Sequence, residues 1–402
     1  MREGVDRRAM AVLSTGHMMA DTWQGAVPAL LPFLIDERNY SYAAVSGLVL
    51  AATVASSVIQ PAFGHFSDRR SLAWLIPLGV LLGGVGIALV GVAESYPLTF
   101  LAVVLSGIGV AAYHPEGSRF ANYVSGEKRA SGMSLFSLGG NIGFALGPVL
   151  VTPLAIAFGL SGTLLLLVPT VLVTAWIVAE LPRLVRFRPS EGPDAESPGS
   201  PDDDWPAFIK LGGVIAFRTF AYFGLITFVP LYFIHELGTS KATGNLGLAL
   251  MLIGGAVGTL IGGPLADRIG RRAVIVASMA LSPPLIVLFQ FLGEWPALVL
   301  AFVIGAVVIS TFSVTVVMGQ ELLPGRIGVA SGVTLGLSVG LGGVSTPLLG
   351  VVADATSLST VLWIVAALPL LGLAVALWLP SRPAARKRTR ARSQRRVQQL
   401  QG

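Results

Sequence analysis

Apolar runs of about 20 residues fill most of this 402-residue chain, and they constrain its fold more than any other feature. A run of that length is what an α-helix needs to cross the hydrocarbon core of a bilayer. We place twelve such segments, at 10–34, 43–66, 73–93, 97–120, 130–158, 161–181, 208–234, 243–266, 273–292, 297–320, 328–352 and 357–379. The sequence therefore predicts an all-α membrane protein with twelve transmembrane helices.

The composition agrees with a membrane protein. The chain is 53% hydrophobic and 12% charged, with a mean hydropathy of +0.76, whereas soluble proteins are about 25% charged. The 48 glycines suit helices that approach closely inside a membrane. Because the chain has no cysteine, disulfides, thiol catalysis and cysteine metal sites are excluded.

A short charged loop occurs twice, as Gly64–Arg69 and as Gly263–Arg268, each at the end of an apolar run. The same number of residues separates Pro148 from Pro347 as separates the aspartates of the two loops. Such duplication is typical of transporters built from two pseudo-symmetric halves. We predict a six-helix half at 1–182, a disordered linker at 183–206, a second six-helix half at 207–380 and a basic tail at 381–402.

The loops predict the orientation in the membrane. Loops after the even-numbered segments carry basic residues such as Lys128, Arg183 and Arg326, whereas the opposite loops carry mainly acids. The positive-inside rule then places both termini in the cytoplasm of a multi-pass protein of the inner (plasma) membrane. We interpret the basic tail as a segment that lies near anionic lipid rather than one that binds nucleic acid.

Several motifs resemble a known family of transporters. Gly263-Pro-Leu-Ala-Asp-Arg-Ile-Gly-Arg-Arg272 resembles the signature loop of the major facilitator superfamily, and Gly139-x3-Gly143-x3-Gly147-Pro148 is similar to the glycine-proline motif of its exporters. The runs Gly16-His-Met-Met-Ala-Asp21, His114-Pro-Glu-Gly117 and Gly139-Gly-Asn-Ile-Gly143 resemble the fosmidomycin-resistance-type subfamily. The resemblance implies alternating-access efflux of a small molecule, a fosmidomycin-like drug or a small organic anion, driven by protons.

That family membership would make the protein a monomer in the lipid bilayer, with a small-molecule substrate and protons as partners and without cofactor, metal or nucleic acid. Val103 departs from the pattern of many proton-driven exporters, which carry an arginine at this position of segment 4. The arrangement of residues that relays protons in those exporters therefore cannot be assigned to this chain. An uptake symporter and a non-transporting receptor remain alternatives. An enzyme is not expected, because nucleophile-elbow, phosphate-loop and zinc-protease motifs are missing.

Ionisable residues inside the spans are the candidates for proton coupling, because each costs about 2.5–3.5 kcal/mol at mid-helix. His17 and Asp21 are four residues apart and share one face of segment 1. His114 in segment 4 lies at nearly the same depth, roughly 10 Å from the predicted cytoplasmic surface. We predict Asp21 as the principal proton site, with Glu116 second; Glu116 could instead simply pair with Arg119.

The other predicted cavity residues are His17, His114, Arg218 and Asn141. Histidine titrates near neutral pH and can share a proton or bind an anionic group. Arg218 in segment 7 would supply the counter-charge from the other half. The alternative for the histidines is a packing role without function.

The repeated charged loops predict a conformational latch. Asp68 and Asp267 would each face the first turn of a helix in the other half, an arrangement worth about 0.3–1 kcal/mol. The basic members of the latch are Arg69, Arg268, Arg271 and Arg272. The alternative is an ordinary surface acid beside an arginine, which contributes little.

The glycines at 139, 143 and 147 recur every four residues, so they lie on nearly one face of segment 5. They would let another helix backbone come close, and Pro148 would permit a bend because it removes a backbone hydrogen bond. Pro347 is its counterpart in the second half. Tight packing without flexibility is the alternative interpretation.

Overall fold

The computed structural model describes residues 5–60, 62–63, 72–126, 129–187, 203–324 and 326–381, and every regular element in these ranges is helical. We call 5–187 the first half and 203–381 the second half. The first half contains α1 (Arg7–Arg38), α2 (Tyr42–Val58), α3 (Leu75–Val90), α4 (Tyr96–Val124), α5 (Arg129–Phe158), a 3-10 helix (Leu160–Leu166) and α6 (Leu167–Val185).

The second half contains α7 (Trp205–His235), α8 (Lys241–Ile269), α9 (Arg271–Phe289), α10 (Glu294–Ile309), α11 (Phe312–Leu322), α12 (Ile327–Ala355) and α13 (Leu358–Ala376). The tenth predicted crossing is thus split at Ser310 and Thr311 into α10 and α11. The first copy of the charged loop, most of the predicted linker and the basic tail lie outside the described residues.

Nine helical segments of the described ranges are long and apolar enough to cross a membrane, with α10 and α11 counted together as one segment and the 3-10 helix counted with α6. Two further apolar helices, α2 and α3, are shorter. The 32-residue α1, which carries His17 and Asp21, is not among the nine. The helical membrane fold is therefore confirmed, whereas the count of twelve crossings stays a prediction.

The helices begin where the sequence supplies caps. The side chains of Asp6, Ser41, Asp204, Ser240 and Ser357 each accept a hydrogen bond from a backbone N–H of the helix that follows. The turn between α8 and α9 consists of Gly270 alone, whose φ of 98° lies in the region that favours glycine. This turn closes the signature loop.

The glycine face of α5 packs against α1. A Cβ atom at Gly139, Gly143 or Gly147 would overlap backbone atoms of α1 near Ser14, Met18 and Gly25 respectively. The predicted close approach of a second backbone is therefore present. The bends expected at Pro148 and Pro347, which both lie inside helices, stay predictions.

The bundle has two ends, defined by α1. At the proximal end, where α1 begins, Arg8 pairs with Glu180 and Arg183 lies 2.9 Å from Asp6, so α1 and the end of α6 are joined. At the distal end, where α1 ends, the halves meet. α2 packs along α12, and α8 packs along α5. The second helix of each half thus contacts the fifth crossing of the other, as a pseudo-twofold arrangement requires.

Candidate functional site

Asp21 lies between two histidines in the first half. Its Oδ2 atom is 3.3 Å from His17 Nε2 on the same helix, and its Oδ1 atom is 3.2 Å from His114 Nε2 on α4. The three predicted residues therefore form one cluster that links α1 to α4. Their nearest nitrogen and oxygen atoms lie within 4.8 Å of one another, close enough to share one proton or small cation.

The backbone fixes which ring nitrogen of each histidine faces Asp21. His17 Nδ1 lies 2.8 Å from the carbonyl of Phe136, and His114 Nδ1 lies 2.8 Å from the carbonyl of Val110. Because a carbonyl only accepts, each Nδ1 carries a hydrogen and donates it. Each Nε2 therefore faces the carboxylate, and a hydrogen bond forms there only when the nitrogen or the carboxyl group holds a proton.

Aromatic rings and a glycine shape this cluster. The His17 ring stacks on Phe136 with centroids 4.1 Å apart and meets the His114 ring edge-on at 5.0 Å. A Cβ atom at Gly140 would lie 2.5 Å from Asp21 Oδ2 and 2.7 Å from His17 Nε2. Gly140 thus leaves the space in which the carboxylate and the imidazole meet. This role was not predicted from the sequence, because Gly140 lies next to the glycines at 139 and 143 and was not distinguished from them.

Glu116 does not join this cluster through the contacts that the structure shows. Its side chain is fully buried, and Oε1 lies 3.6 Å from Arg119 Nη1 and accepts a hydrogen bond from the backbone N–H of Leu72 at 2.9 Å. The alternative pairing with Arg119 is therefore present. Glu116 also holds the chain where it emerges from the first charged loop.

Arg218 lies in the second half among hydroxyl groups. Its Nη2 atom donates to Ser338 at 2.8 Å, and Nη1 lies 3.4 Å from Thr311 Oγ1 and 3.3 Å from Thr315 Oγ1. Arg218 and Asp21, both described, form no ion pair in this conformation. The predicted counter-charge role is thus not seen here and stays a prediction. Asn141 is half-buried on α5, one residue after Gly140.

The second copy of the charged loop forms local pairs. Arg271 lies 2.9 Å from Glu321 and 3.7 Å from Asp267, and Arg272 donates to the carbonyl of Leu377 at 2.6 Å. Arg268 is exposed. Asp68 and Arg69 lie outside the described residues, as do the side chains from 129 to 131 that we expected Asp267 to face. The latch stays a prediction.

The distal end holds a contact that sequence reasoning missed. Asp354 at the end of α12 accepts hydrogen bonds from the backbone N–H groups of Tyr42 at 2.8 Å and Ala43 at 2.9 Å. A carboxylate of the second half therefore caps α2 of the first half. Ser41 marks the start of α2 in the sequence, because serine is a common helix cap. The sequence contains no indication that Asp354 would lie next to this helix start.

Further contacts close the distal end. Asn245 on α8 donates to Thr152 Oγ1 at 2.8 Å and to the carbonyl of Ala29 at 3.0 Å. Lys241 at the start of α8 pairs with Asp36 at 2.9 Å. The two halves are therefore joined at the end opposite to that where the described chain begins.

Two helical halves that pack around buried polar groups are typical of membrane transporters. The family model of the Major Facilitator Superfamily matches residues 12–240 and 211–400. The chain is 32% identical to the fosmidomycin resistance protein of Escherichia coli K12 and 31% identical to the MFS-type transporter YfnC of Bacillus subtilis 168, each over 92% of both chains. This chain belongs to the Major Facilitator Superfamily.

Solved structures agree on the fold. A bacterial homolog of the human lysosomal transporter Spinster, in an inward-facing and occupied conformation, matches with a TM-score of 0.71 at 16% identity, over 94% of this chain and 95% of the other. The nucleoside transporter NupG matches with a TM-score of 0.73 at 14% identity, over 92% and 99%. The resemblance to the superfamily and to its fosmidomycin-resistance relatives is thus confirmed. The protein is a multi-pass membrane transporter, whose partners are a small-molecule substrate and the bilayer.

Proposed function

We propose that this transporter exports a small organic anion or a fosmidomycin-like drug in exchange for protons, by alternating access between its halves. The observation that carries the proposal is the Asp21 cluster, in which one carboxylate faces the Nε2 atoms of two histidines. The name of the Escherichia coli relative supports the substrate class. We place the protein in the inner membrane as a monomer, with its proximal end in the cytoplasm.

Proton uptake changes the contacts between α1 and α4. When His114 is protonated, its Nε2–H donates to Asp21 and the two helices are tied together. When the cluster loses its protons, the Nε2 lone pair faces a carboxylate and the contact becomes repulsive. A cluster whose cohesion depends on bound protons couples a proton gradient to helix movement. Asp21 is the central group because it touches both histidines.

Asp21→Asn tests the coupling. The amide keeps the size of the side chain but cannot be ionised, so we expect uphill accumulation in inverted vesicles to disappear while exchange of substrate at equal concentrations persists. Glu94→Gln, which alters an exposed acid of a distal loop, is the matched control and should transport normally. Uphill transport at the parental rate in Asp21→Asn, or in parental vesicles after the gradient is collapsed, would reject proton coupling through Asp21.

A further inference from the structure

Arg218 is a buried cation without an acidic partner among the described residues. Only 2% of its surface is exposed, and its hydrogen-bond partners are Thr311, Thr315 and Ser338. These partners are neutral, and the guanidinium carbon also lies 5.6 Å from the centre of the Phe312 ring. Hydroxyl dipoles and an aromatic face therefore stabilise the guanidinium, but no carboxylate of the described residues pairs with it. An unpaired charge in a low-dielectric interior is costly, which is why buried charges normally have counter-ions.

The hydroxyl groups act as acceptors towards Arg218 because their own hydrogens are already used. Ser338 donates to the carbonyl of Thr334 at 2.7 Å, and Thr315 donates to the carbonyl of Phe312 at 2.9 Å. The Nε–H of Arg218 is buried and has no acceptor in the described part of the chain. The guanidinium thus keeps one strong donor without an acceptor among the described residues.

A helix N-terminus lies at the same place. The crossing of residues 294–322 is interrupted, and α11, which is 11 residues long, begins directly after Thr311. Nη1 of Arg218 lies 3.4 Å from the hydroxyl of Thr311. The first N–H groups of a helix have no partners within the helix and favour negative charge. In transporters, the N-termini of interrupted helices bind anionic groups of substrates.

We propose that Arg218, Thr311, Thr315, Ser338 and the first turn of α11 form a subsite for the oxyanion group of the transported substrate, a carboxylate, phosphonate or phosphate. The bound anion accepts from Arg218 Nε–H and compensates the buried charge. Hydroxyls that now accept from Arg218 turn to donate to the anion. This inference deepens the proposed function, since it rests on transport of an organic anion, but it requires neither proton coupling nor a given direction of transport.

Binding to the purified full-length protein in detergent, with methylphosphonate and acetate as probes, tests the subsite. We expect saturable binding by the parent and a ten- to hundred-fold weaker affinity in Arg218→Gln, because hydrogen bonds to charged groups are lost. Arg218→Lys should recover part of the affinity. Arg186→Gln, which removes an exposed arginine, is the matched control and should bind both probes as the parent does.

Two further variants keep the test decisive. Should Arg218→Gln fail to fold, Thr315→Val and Ser338→Ala together remove two of the hydroxyls and should weaken binding several-fold. The binding assay needs no proton gradient, so loss of uphill transport in Asp21→Asn and loss of probe binding in Arg218→Gln are separate results. The subsite is rejected if the parent binds neither probe saturably, or if Arg218→Gln binds both probes as tightly as the parent does.

Discussion

The two ends of the bundle hold similar acids in different surroundings. At the distal end, the carboxylate of Asp354 accepts two backbone hydrogen bonds at the first turn of α2 in the other half. At the proximal end, the side chain of Asp267 is 75% exposed, and its ion-pair partner is Arg271, four residues later. One acid therefore bridges the halves, whereas the other stays within its own half.

This difference is the one expected of a conformation that is closed at the distal end. A carboxylate at a helix N-terminus is stabilised by the unsatisfied N–H groups and by the helix dipole. Asp354 gains this stabilisation only while α2 and α12 are together at the distal end. The predicted partners of Asp267 would give it the same stabilisation when the proximal end closes. We infer that the two acids stabilise opposite states of one alternating-access cycle.

The largest expected effect comes from filling the close contact between α2 and α12 near the middle of the two helices. A Cβ atom at Gly343 would overlap Thr53 Oγ1 and lie 2.9 Å from Thr53 Cβ. We therefore expect Gly343→Val to push the helices apart and destabilise the distal-closed state by about 1–3 kcal/mol. The chain has no cysteine, so spin labels at Cys substitutions of Ser161 and Glu236 measure the distal distance directly.

Gly332→Val is the control for this prediction, since it places the same residue on the same helix. A Cβ atom at Gly332 meets nothing within 4 Å. The helix-propensity cost is the same in both variants, so only the packing differs. An unchanged distal distance in Gly343→Val, or an equal change in Gly332→Val, would show that the α2–α12 contact does not hold the end closed.

The next effect comes from the acid at the distal end. Asp354→Asn keeps one oxygen acceptor but removes the negative charge from the first turn of α2. We expect a loss of about 1 kcal/mol from the distal-closed state, which is roughly fivefold in population. The same label pair should show a larger fraction of long distances. Glu94→Gln removes a charge at the same end without removing a cap, and a similar shift in that variant would contradict the role of Asp354.

The sequence predicted the parts of the molecule that depend on local pattern. The apolar runs predicted the helices. The four-residue spacing of Gly139, Gly143 and Gly147 predicted close contact with another helix, which the structure shows to be α1. The spacing of His17 and Asp21 and the depth of His114 gave the polar cluster. The helical period and the rise per residue give the shared faces and the equal depths, whereas the meeting of α1 with α4 also needed the resemblance to the superfamily.

The sequence could not predict contacts that depend on how the halves pack together. Asp354 and Tyr42 are far apart in the chain, and their meeting depends on the packing of α12 against α2. The hydroxyl partners of Arg218 come from α11, from the residue that precedes α11 and from α12. The break between α10 and α11 lies within a continuous apolar run of the sequence. Glu116 had two possible roles, and only the structure shows its bond to Leu72 N–H.

The smallest expected effect is at the proximal end. In the distal-closed state, Asp267 makes an exposed pair with Arg271 at 3.7 Å, and such pairs contribute about 0–1 kcal/mol. Asp267→Asn should therefore leave this state nearly unchanged and weaken only the opposite one, in which the proximal end is closed. The population should shift towards the distal-closed state by at most severalfold, opposite in sign to Asp354→Asn. Spin labels at Cys substitutions of Arg186 and Ala273 measure the distance between the halves at the proximal end. If Asp267→Asn and Asp354→Asn shift both label pairs in the same direction, the two acids do not act on opposite ends of one equilibrium.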